Sequence, residues 1–407
     1  MRILLLSQWY PPEPVLLPHQ WAKELLRRGH QVTVITGFPN YPTGEIYTGY
    51  RVKLRQQESI EGVPVLRLPI YPNHDARGAK RALNYLSFSA STSVLGPVMA
   101  ESADIMWVFD SLMAGLGAAS ISRVRRIPFI YCVQDLWPET LSATGAVTSA
   151  RAVRWISHIA DFVYRQAAAI TVISPGFKRN LIEKGVPAEK IHFISNWADE
   201  SIYKPAEYNE AFAAKYGLEH RFNIIYAGNM GIAQALDNVL EAAKQLVDLS
   251  SLQFVLIGDG VEAHHLHQQA ETAGLSNIRF IQRQPASEIP NFFACAEGLL
   301  VHLKRDPLFE ITIPSKTIAY LACGRPIISV AAGDAADVIT RAGAGLVCPP
   351  EDPGALAHTV RQFFTLSQQE RDFMGMAGRR AFLRQYSQSV VMNSYEGLLE
   401  QVASKTT

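Results

Sequence analysis

The sequence predicts an α/β protein made of two doubly wound parallel-sheet domains in tandem. Three observations carry that expectation. Short apolar runs alternate with amphipathic stretches along the chain, the runs end in loops rich in Gly, Pro and polar residues, and the pattern starts afresh after residue 200. Apolar runs of this kind suit strands buried on both faces, and the amphipathic stretches suit the helices that cover them.

In the first half RILLLS is a strand, HQWAKELLRRGH a helix with Gly29 at its end, and QVTVITG, VPVLRLPI, ADIMWVF, IPFIYCV and ITVISP are further strands. After IHFISNWADESIYKP the series restarts with FNIIYAG and the helix ALDNVLEAAKQLVDL, followed by LQFVLIGDG, IRFIQRQ, GLLVHL, RPIISVA and AGLVCPP. The boundary falls near residues 196 to 206, so the first domain spans residues 1–200 and the second 201–385. The closing stretch SVVMNSYEGLLEQVA is amphipathic and lies in a last helix over about residues 386–407.

With 407 residues, 48% hydrophobic and 18% charged, the chain can bury full-sized cores. Its net charge of +1 argues against a general nucleic-acid binder. The charge is unevenly placed: residues 1–200 hold 21 Lys and Arg against 16 Asp and Glu, giving +5, and the remainder holds 17 against 21, giving −4. An anionic neighbour is expected for the first half only. Cys132, Cys295, Cys323 and Cys348 lie far apart with no CxxC spacing, which reads as reduced core thiols in a cytosolic protein. MRILLLSQWY has one basic residue and a very short apolar run before Pro11, so it reads as a first buried strand and not a signal peptide. No run reaches the roughly 18 apolar residues that a membrane span needs.

In open parallel sheets ligands gather at the carboxyl ends of the strands. In the second half those loops are AGNMG, GDG, QRQP, HLKRDP and the helix start IPSK. Gly228, Gly258 and Gly260 allow a backbone to approach a ligand closely, and they are equally what any strand-to-helix turn is made of. Pro314 suits the first turn of a helix, and Ser315 and Lys316 place a hydroxyl and a cation at that N-terminus. With Lys304 as a second exposed cation and the free N–H groups of the helix, the combination suits a diphosphate. A lysine that only solvates a surface helix remains the alternative.

PSKTIAYLACGRPII, with YAGNMG and LIGDG upstream and PPEDPGALAHTV downstream, resembles the carboxyl-terminal domain of the family 4 retaining glycosyltransferases. LLSQWYPPEP, ELLRRGHQVTVITGFPNYPTGEIYTGY, QDLWPE and SNWAD resemble the branch of the N-acetyl-L-fucosamine transferases of bacterial O-antigen and capsule synthesis. The resemblance covers essentially the whole chain. It implies a GT-B architecture: two Rossmann-like domains facing across a cleft, nucleotide sugar held by the second, acceptor by the first, and the last helix crossing back to the first. It further implies a UDP-sugar donor, no other cofactor, and a lipid-linked saccharide acceptor at the inner face of the plasma membrane.

Several family positions are filled differently here. Many members carry two Glu residues, one touching the sugar and one the ribose; Ile311 and Ala319 stand in their places, with Glu310 one position from the first. The Arg and Lys that usually hold the diphosphate fall on Asn229 and Gln234, which leaves Lys304 and Lys316 as substitutes. The glycine loop of the first domain is PEPVLLPHQ, and the His of the family's His-Asp pair is Gln134, beside Asp135.

Transfer from a nucleoside diphosphate needs a leaving group stabilised as its charge grows, and fixed cations with helix amides achieve this without a metal. The sequence contains no DxD, and no metal site is expected. If attack occurs on the leaving-group face, the departing phosphate oxygen can take the proton, so no enzymic base is compulsory. The catalytic candidates are Asp135, Lys316 and Glu310. Donor binding is expected from Gly228, Asn229, Gly258, Gly260, Arg283, Lys304, Ser315 and Lys316, with GDG and QRQP around the uridine. Glu13, Asn40, Gln134 and Glu139 are the acceptor-side candidates. For Asp135 and Glu139 the alternative is capping of the helix that follows.

In the first half Arg77, Lys80 and Arg81 share one turn, followed by Leu83, Tyr85, Leu86 and Phe88, and SRVRRIP adds Arg123, Arg125 and Arg126. A basic turn beside apolar and aromatic residues is the form of an interfacial attachment to anionic lipid, and also that of a solvated helix face. Three readings stand at this point: a retaining glycosyltransferase, a sugar-nucleotide epimerase of similar fold, and a non-catalytic sugar-nucleotide-binding subunit, the last suggested by Ile311 and Ala319.

Overall fold

The structure, a computed structural model, describes residues 1–73, 78–109, 111–143, 147 and 149–405. It divides into two units, Met1–Ile173 with Phe177–Ile194 and Met392–Thr407, and Ser174–Gly176 with Ser195–Val391.

The sheet of the first unit contains β1 (Arg2–Ser7), β2 (Gln31–Gly37), β3 (Gln56–Ile60), β4 (Val63–Leu68), β5 (Ile105–Phe109), β6 (Phe129–Val133), β7 (Ala169–Val172) and β8 (Ile191–Phe193). Their order is β3-β4-β2-β1-β5-β6-β7-β8. All pairs are parallel except β3 with β4, a hairpin that turns through Glu61 and Gly62, both at positive φ. The apolar runs account for the buried parallel strands. β3, QQESI, has no such run because it is an edge strand whose residues are half-buried or exposed in alternation.

The last helix spans Gln388–Ser404, and from Met392 onward it belongs to this unit. Trp21 and Trp107 stack at 4.1 Å with planes 8° apart, and Tyr395 from the last helix meets both edge-on at 6.1 and 5.7 Å. Next to this cluster Glu396 accepts from Arg28 and pairs with the His30 ring, each at 2.7 Å. Burying one such aromatic is worth roughly 2–3 kcal/mol, enough with the ion pairs to hold the helix end in place.

The second unit contains β9 (Phe222–Ala227), β10 (Leu252–Ile257), β11 (Ile278–Ile281), β12 (Gly298–His302), β13 (Ile327–Val330) and β14 (Gly345–Cys348). Every pair is parallel and the order is β11-β10-β9-β12-β13-β14. Neighbouring strand residues go to opposite cores: Ile225, Val255 and Leu299 pack with Tyr320 and Leu321, whereas Ile224, Phe254 and Leu300 pack with Val239 and Leu240. The sheet is thus covered on both faces, which is why its strands read as continuous apolar runs. In each unit the strand order reverses once, between β1 and β5 and between β9 and β12. Those reversals open the crevices in which doubly wound sheets hold ligands. All four cysteines are buried and free, matching the reduced-thiol reading. Among the described residues no helix is long and apolar enough to cross a membrane.

Candidate functional site

At the reversal in the second unit, the loops that leave the strands are tied to one another. Gly228 N–H donates to the Ile257 carbonyl at 2.9 Å, Met230 N–H to Asp259 at 2.7 Å, and Lys304 N–H to Ala233 at 2.9 Å. A Cβ at Gly258 would lie 1.9 Å from the Gly228 carbonyl oxygen, and one at Gly260 would lie 2.4 Å from that of Met230. These two glycines are therefore required by the protein's own loop packing, whatever ligand they meet. Gly228 differs: a Cβ there would lie 3.0 Å from the Lys316 Nζ, so its missing side chain makes room for the lysine.

Lys316 is the second residue of the Ser315–Cys323 helix. Pro314 stands one place before that helix and not in its first turn, because its ψ of 139° is extended; its carbonyl accepts the Thr317 N–H at 2.9 Å. Gly324 ends the helix at φ 68°, a conformation that favours glycine. Ser315 is exposed. Lys316 is not the exposed cation that was expected. Its side chain folds back half-buried, with Nζ donating to the Tyr226 hydroxyl at 2.5 Å and lying 3.8 Å from the centre of that ring. It forms no ion pair among the described residues, and burial pushes its pKa down to about 7. Tyr226 in turn donates to the Asn229 carbonyl at 2.5 Å. His302, fully buried at the end of β12, is held down to about 4, first by burial and then also by the charge of Lys316.

The other donor-side candidates lie on the same loops. Lys304 is half-buried, while Asn229, Arg283 and Glu310 are exposed. Glu310 ends the short helix Pro307–Glu310. Ala319 is buried among Ile318, Tyr320 and Leu321, where a carboxylate would be desolvated.

In the first unit two acceptor-side expectations are corrected. Glu13 and Asn40 are 1% and 0% exposed. Glu13 accepts from Tyr10 N–H at 3.0 Å, Asn40 N–H at 2.8 Å and Tyr41 N–H at 2.9 Å, so its carboxylate closes the loops after β1 and β2 instead of facing an acceptor. Burial nevertheless raises its pKa to about 7 against these hydrogen bonds. Asn40 belongs to a buried chain at the strand reversal: Ser111 donates to Gln8 at 2.8 Å, Gln8 to Asn84 at 2.8 Å, and Asn84 to Asn40 at 2.9 Å. Arg67, fully buried, joins Glu58 at 2.5 Å to the Gly37 carbonyl at 2.9 Å and that of Pro11 at 2.5 Å. Of this network only Gln8 carried a signal, a polar residue directly after a buried strand.

Asp135 and Gln134 follow β6. Both are partly buried; burial raises the Asp135 pKa, and a hydrogen bond with Thr140 opposes the rise. The Gln134 amide donates to the Cys132 sulfur at 3.2 Å. Glu139 is bound to Lys184 at 2.5 Å, so one of its oxygens is committed within the unit.

Of the basic group, Arg77 lies outside the described residues. Lys80, Arg123, Arg125 and Arg126 are exposed and Arg81 is half-exposed. Leu83 and Leu86 are exposed beside them, but Phe88 turns into the core. The neighbouring helix Ala150–Gln166 adds a surface that sequence reading missed: Trp155 is 72% exposed, with Arg151, Arg154 and Phe162 on the same outer side.

Residues 18–197 match the family described as glycosyl transferase 4-like domain, and residues 209–381 the family described as glycosyl transferases group 1. WcaI of Escherichia coli (strain K12), a glycosyl transferase named for colanic acid biosynthesis, is 28% identical over 386 residues, covering 90% of this chain and 93% of its own. The GDP-mannose-dependent alpha-mannosyltransferase of Mycobacterium tuberculosis (strain CDC 1551 / Oshkosh) is 24% identical over 419 residues, 100% of this chain and 98% of its own. The fold is that of sucrose-phosphate synthase from Thermosynechococcus elongatus, with a TM-score of 0.74 at 14% identity over 99% of both chains. HepE of Anabaena, solved in complex with UDP-glucose, has a TM-score of 0.72 at 17% identity over 98% of this chain and 100% of its own.

Proposed function

Because the chain is a glycosyltransferase of the GT-B fold, with a 4-like domain followed by a group 1 domain, we propose that it moves a sugar with retention from a UDP-sugar to a lipid-linked saccharide in bacterial surface polysaccharide synthesis. The sugar class we favour is an N-acetylated deoxyhexosamine such as N-acetyl-L-fucosamine. WcaI, named for colanic acid biosynthesis, supports the polysaccharide setting, and the UDP-glucose complex of HepE supports the donor class. The observation that carries the proposal is Lys316: a cation with no ion pair among the described residues, held beside a helix N-terminus at the strand reversal of the second unit.

In this reading Ser315 and the free N–H groups of the helix take the distal phosphate, and Lys316 meets the oxygen that becomes the leaving group. Lys304 supplies the second charge. Arg283 and the Gly258 and Gly260 loop lie towards the uridine, and Glu310 and Asp135 are the carboxyl groups offered to the sugar or acceptor. The diphosphate takes the acceptor proton, so neither carboxylate has to act as base. Such a site works without a metal, and turnover should be unchanged by EDTA.

The direct test is a thermal-shift screen of nucleotide sugars, followed by incubation of the best donor with a lipid-linked acceptor. An extended lipid is expected. An isomerised nucleotide would point to an epimerase, and binding without turnover to a non-catalytic subunit.

The basic face of the first unit and the exposed Trp155 support a peripheral position on the cytoplasmic membrane. Vesicles containing anionic lipid should bind the protein more tightly than neutral ones, and salt should weaken the binding. Arg125→Ser and Arg126→Ser should each weaken it about fivefold, at about 1 kcal/mol per surface cation. Equal binding to neutral vesicles would remove the electrostatic part of this reading.

A further inference from the structure

Tyr226 is the last-but-one residue of β9, fully buried, and sequence reading absorbs it into the apolar run FNIIYAG. Yet its hydroxyl makes two polar contacts, both at the strand reversal. It accepts from Lys316 Nζ at 2.5 Å and donates to the Asn229 carbonyl at 2.5 Å, while its ring face lies 3.8 Å beneath the same ammonium. We propose that Tyr226 is the positioning residue of the donor site: through its phenol it fixes the Lys316 ammonium and the Gly228–Asn229 loop together, presented jointly to the diphosphate of a nucleoside diphosphate. The inference rests on the reading of Lys316 as the diphosphate cation.

The surroundings of Lys316 give the tyrosine its weight. The groups that face the ammonium are the ring and hydroxyl of Tyr226 from β9 and, within reach of the lysine's charge, the ring of His302 from β12; no carboxylate pairs with it among the described residues. His302 is held neutral by burial and offers no counter-charge. The hydroxyl and ring face of Tyr226 are then what favours the charged form of the lysine in the absence of ligand. Burial opposes them and brings the lysine pKa to about 7. A bound diphosphate adds two negative groups and draws the proton back, so donor binding should be linked to proton uptake near neutral pH.

The sign follows directly. Lys316 must be protonated to bind the diphosphate, so kcat/KM falls as pH rises through the pKa of the lysine in the free enzyme. Loss of the phenol removes stabilisation of the cation, lowers that pKa and moves the alkaline limb to lower pH. One hydrogen bond to a charged group changes the proton affinity of that group about tenfold, which sets the size of the displacement.

The experiment compares wild type with Tyr226→Phe, which keeps the buried ring and removes only the hydroxyl, after thermal melts have shown both folded. For Tyr226→Phe the alkaline limb of kcat/KM should lie at lower pH, displaced by about 1, with a loss of about tenfold at pH 8 and less than threefold at pH 5.5. A merely structural role would lower activity by the same factor at every pH, and that result, or an unshifted limb, overturns the proposal. In a Lys316→Ala background Tyr226→Phe should displace no alkaline limb and cost clearly less at pH 8 than it does in wild type, whereas independent additive losses would also overturn the proposal. If Lys316→Ala itself leaves UDP binding and turnover untouched, the donor-site reading fails. If Lys316→Ala is damaging and Tyr226→Phe is silent, only the role of Tyr226 falls.

Discussion

Lys316→Ala is expected to lower turnover roughly a hundredfold, on the order of 3 kcal/mol in the barrier, with a smaller loss of UDP affinity. A nucleoside diphosphate gains charge at its bridging oxygen as the glycosidic bond breaks, so a preorganised cation acts more on the transition state than on the ground state. Lys316→Arg should recover only part of the loss, because a larger planar fork replaces the compact ammonium that donates to the Tyr226 hydroxyl from a half-buried position. The same lysine should oppose stability. Its pKa falls from 10.5 in the unfolded chain to about 7 in the folded protein, so the penalty for holding the cation is full below pH 7 and fades as pH rises towards 10.5. Lys316→Met, similar in length and uncharged, should therefore melt higher than wild type by about 1–2 kcal/mol at pH 6, with the gap closing at alkaline pH. Melting curves with and without UDP would show both effects at once: a more stable variant that responds more weakly to the nucleotide. Unchanged turnover in a folded Lys316→Ala would move the leaving-group site elsewhere.

The opposite signs of those effects explain what could be read from the sequence. Burial on both faces makes β1, β2, β9 and β10 visible as apolar runs, because the covering helices act on every residue of the strand alike. An edge such as β3 has no such imprint. The loops with functional character were also legible, since strand ends and helix starts leave Gly, Pro, Ser and Lys in recognisable places. The direction of a side chain was not. Glu13 and Asn40 sit in suitable loops, but their polar atoms are used by the backbone of neighbouring loops and a partner in another helix. Lys316 was placed on the right helix and given the wrong environment, because the residue that receives it, Tyr226, is 90 positions away and looks like a core aromatic. Non-local pairing of one polar atom inside an apolar run has no periodicity, so only the folded arrangement shows it.

Gly258→Ala should be strongly damaging, lowering stability by about 2–4 kcal/mol and abolishing the response to UDP. The added Cβ would fall 1.9 Å from the Gly228 carbonyl oxygen and 3.0 Å from its carbon, and these are backbone atoms that no rotamer change can move aside. The φ of 150° at Gly258 adds a conformation that side chains rarely adopt. Relief requires the loop after β9 to shift, and that loop carries Asn229 and the room left by Gly228 for Lys316. The damage should therefore reach the donor site even in the fraction of protein that folds. Gly29→Ala separates the two causes, since Gly29 has a φ of 87° but nothing within 4 Å of the added carbon. Backbone strain alone should cost about 1 kcal/mol there and leave UDP binding intact. If Gly258→Ala instead melts like Gly29→Ala and still shifts with UDP, the loops after β9 and β10 are not locked together as their close approach implies.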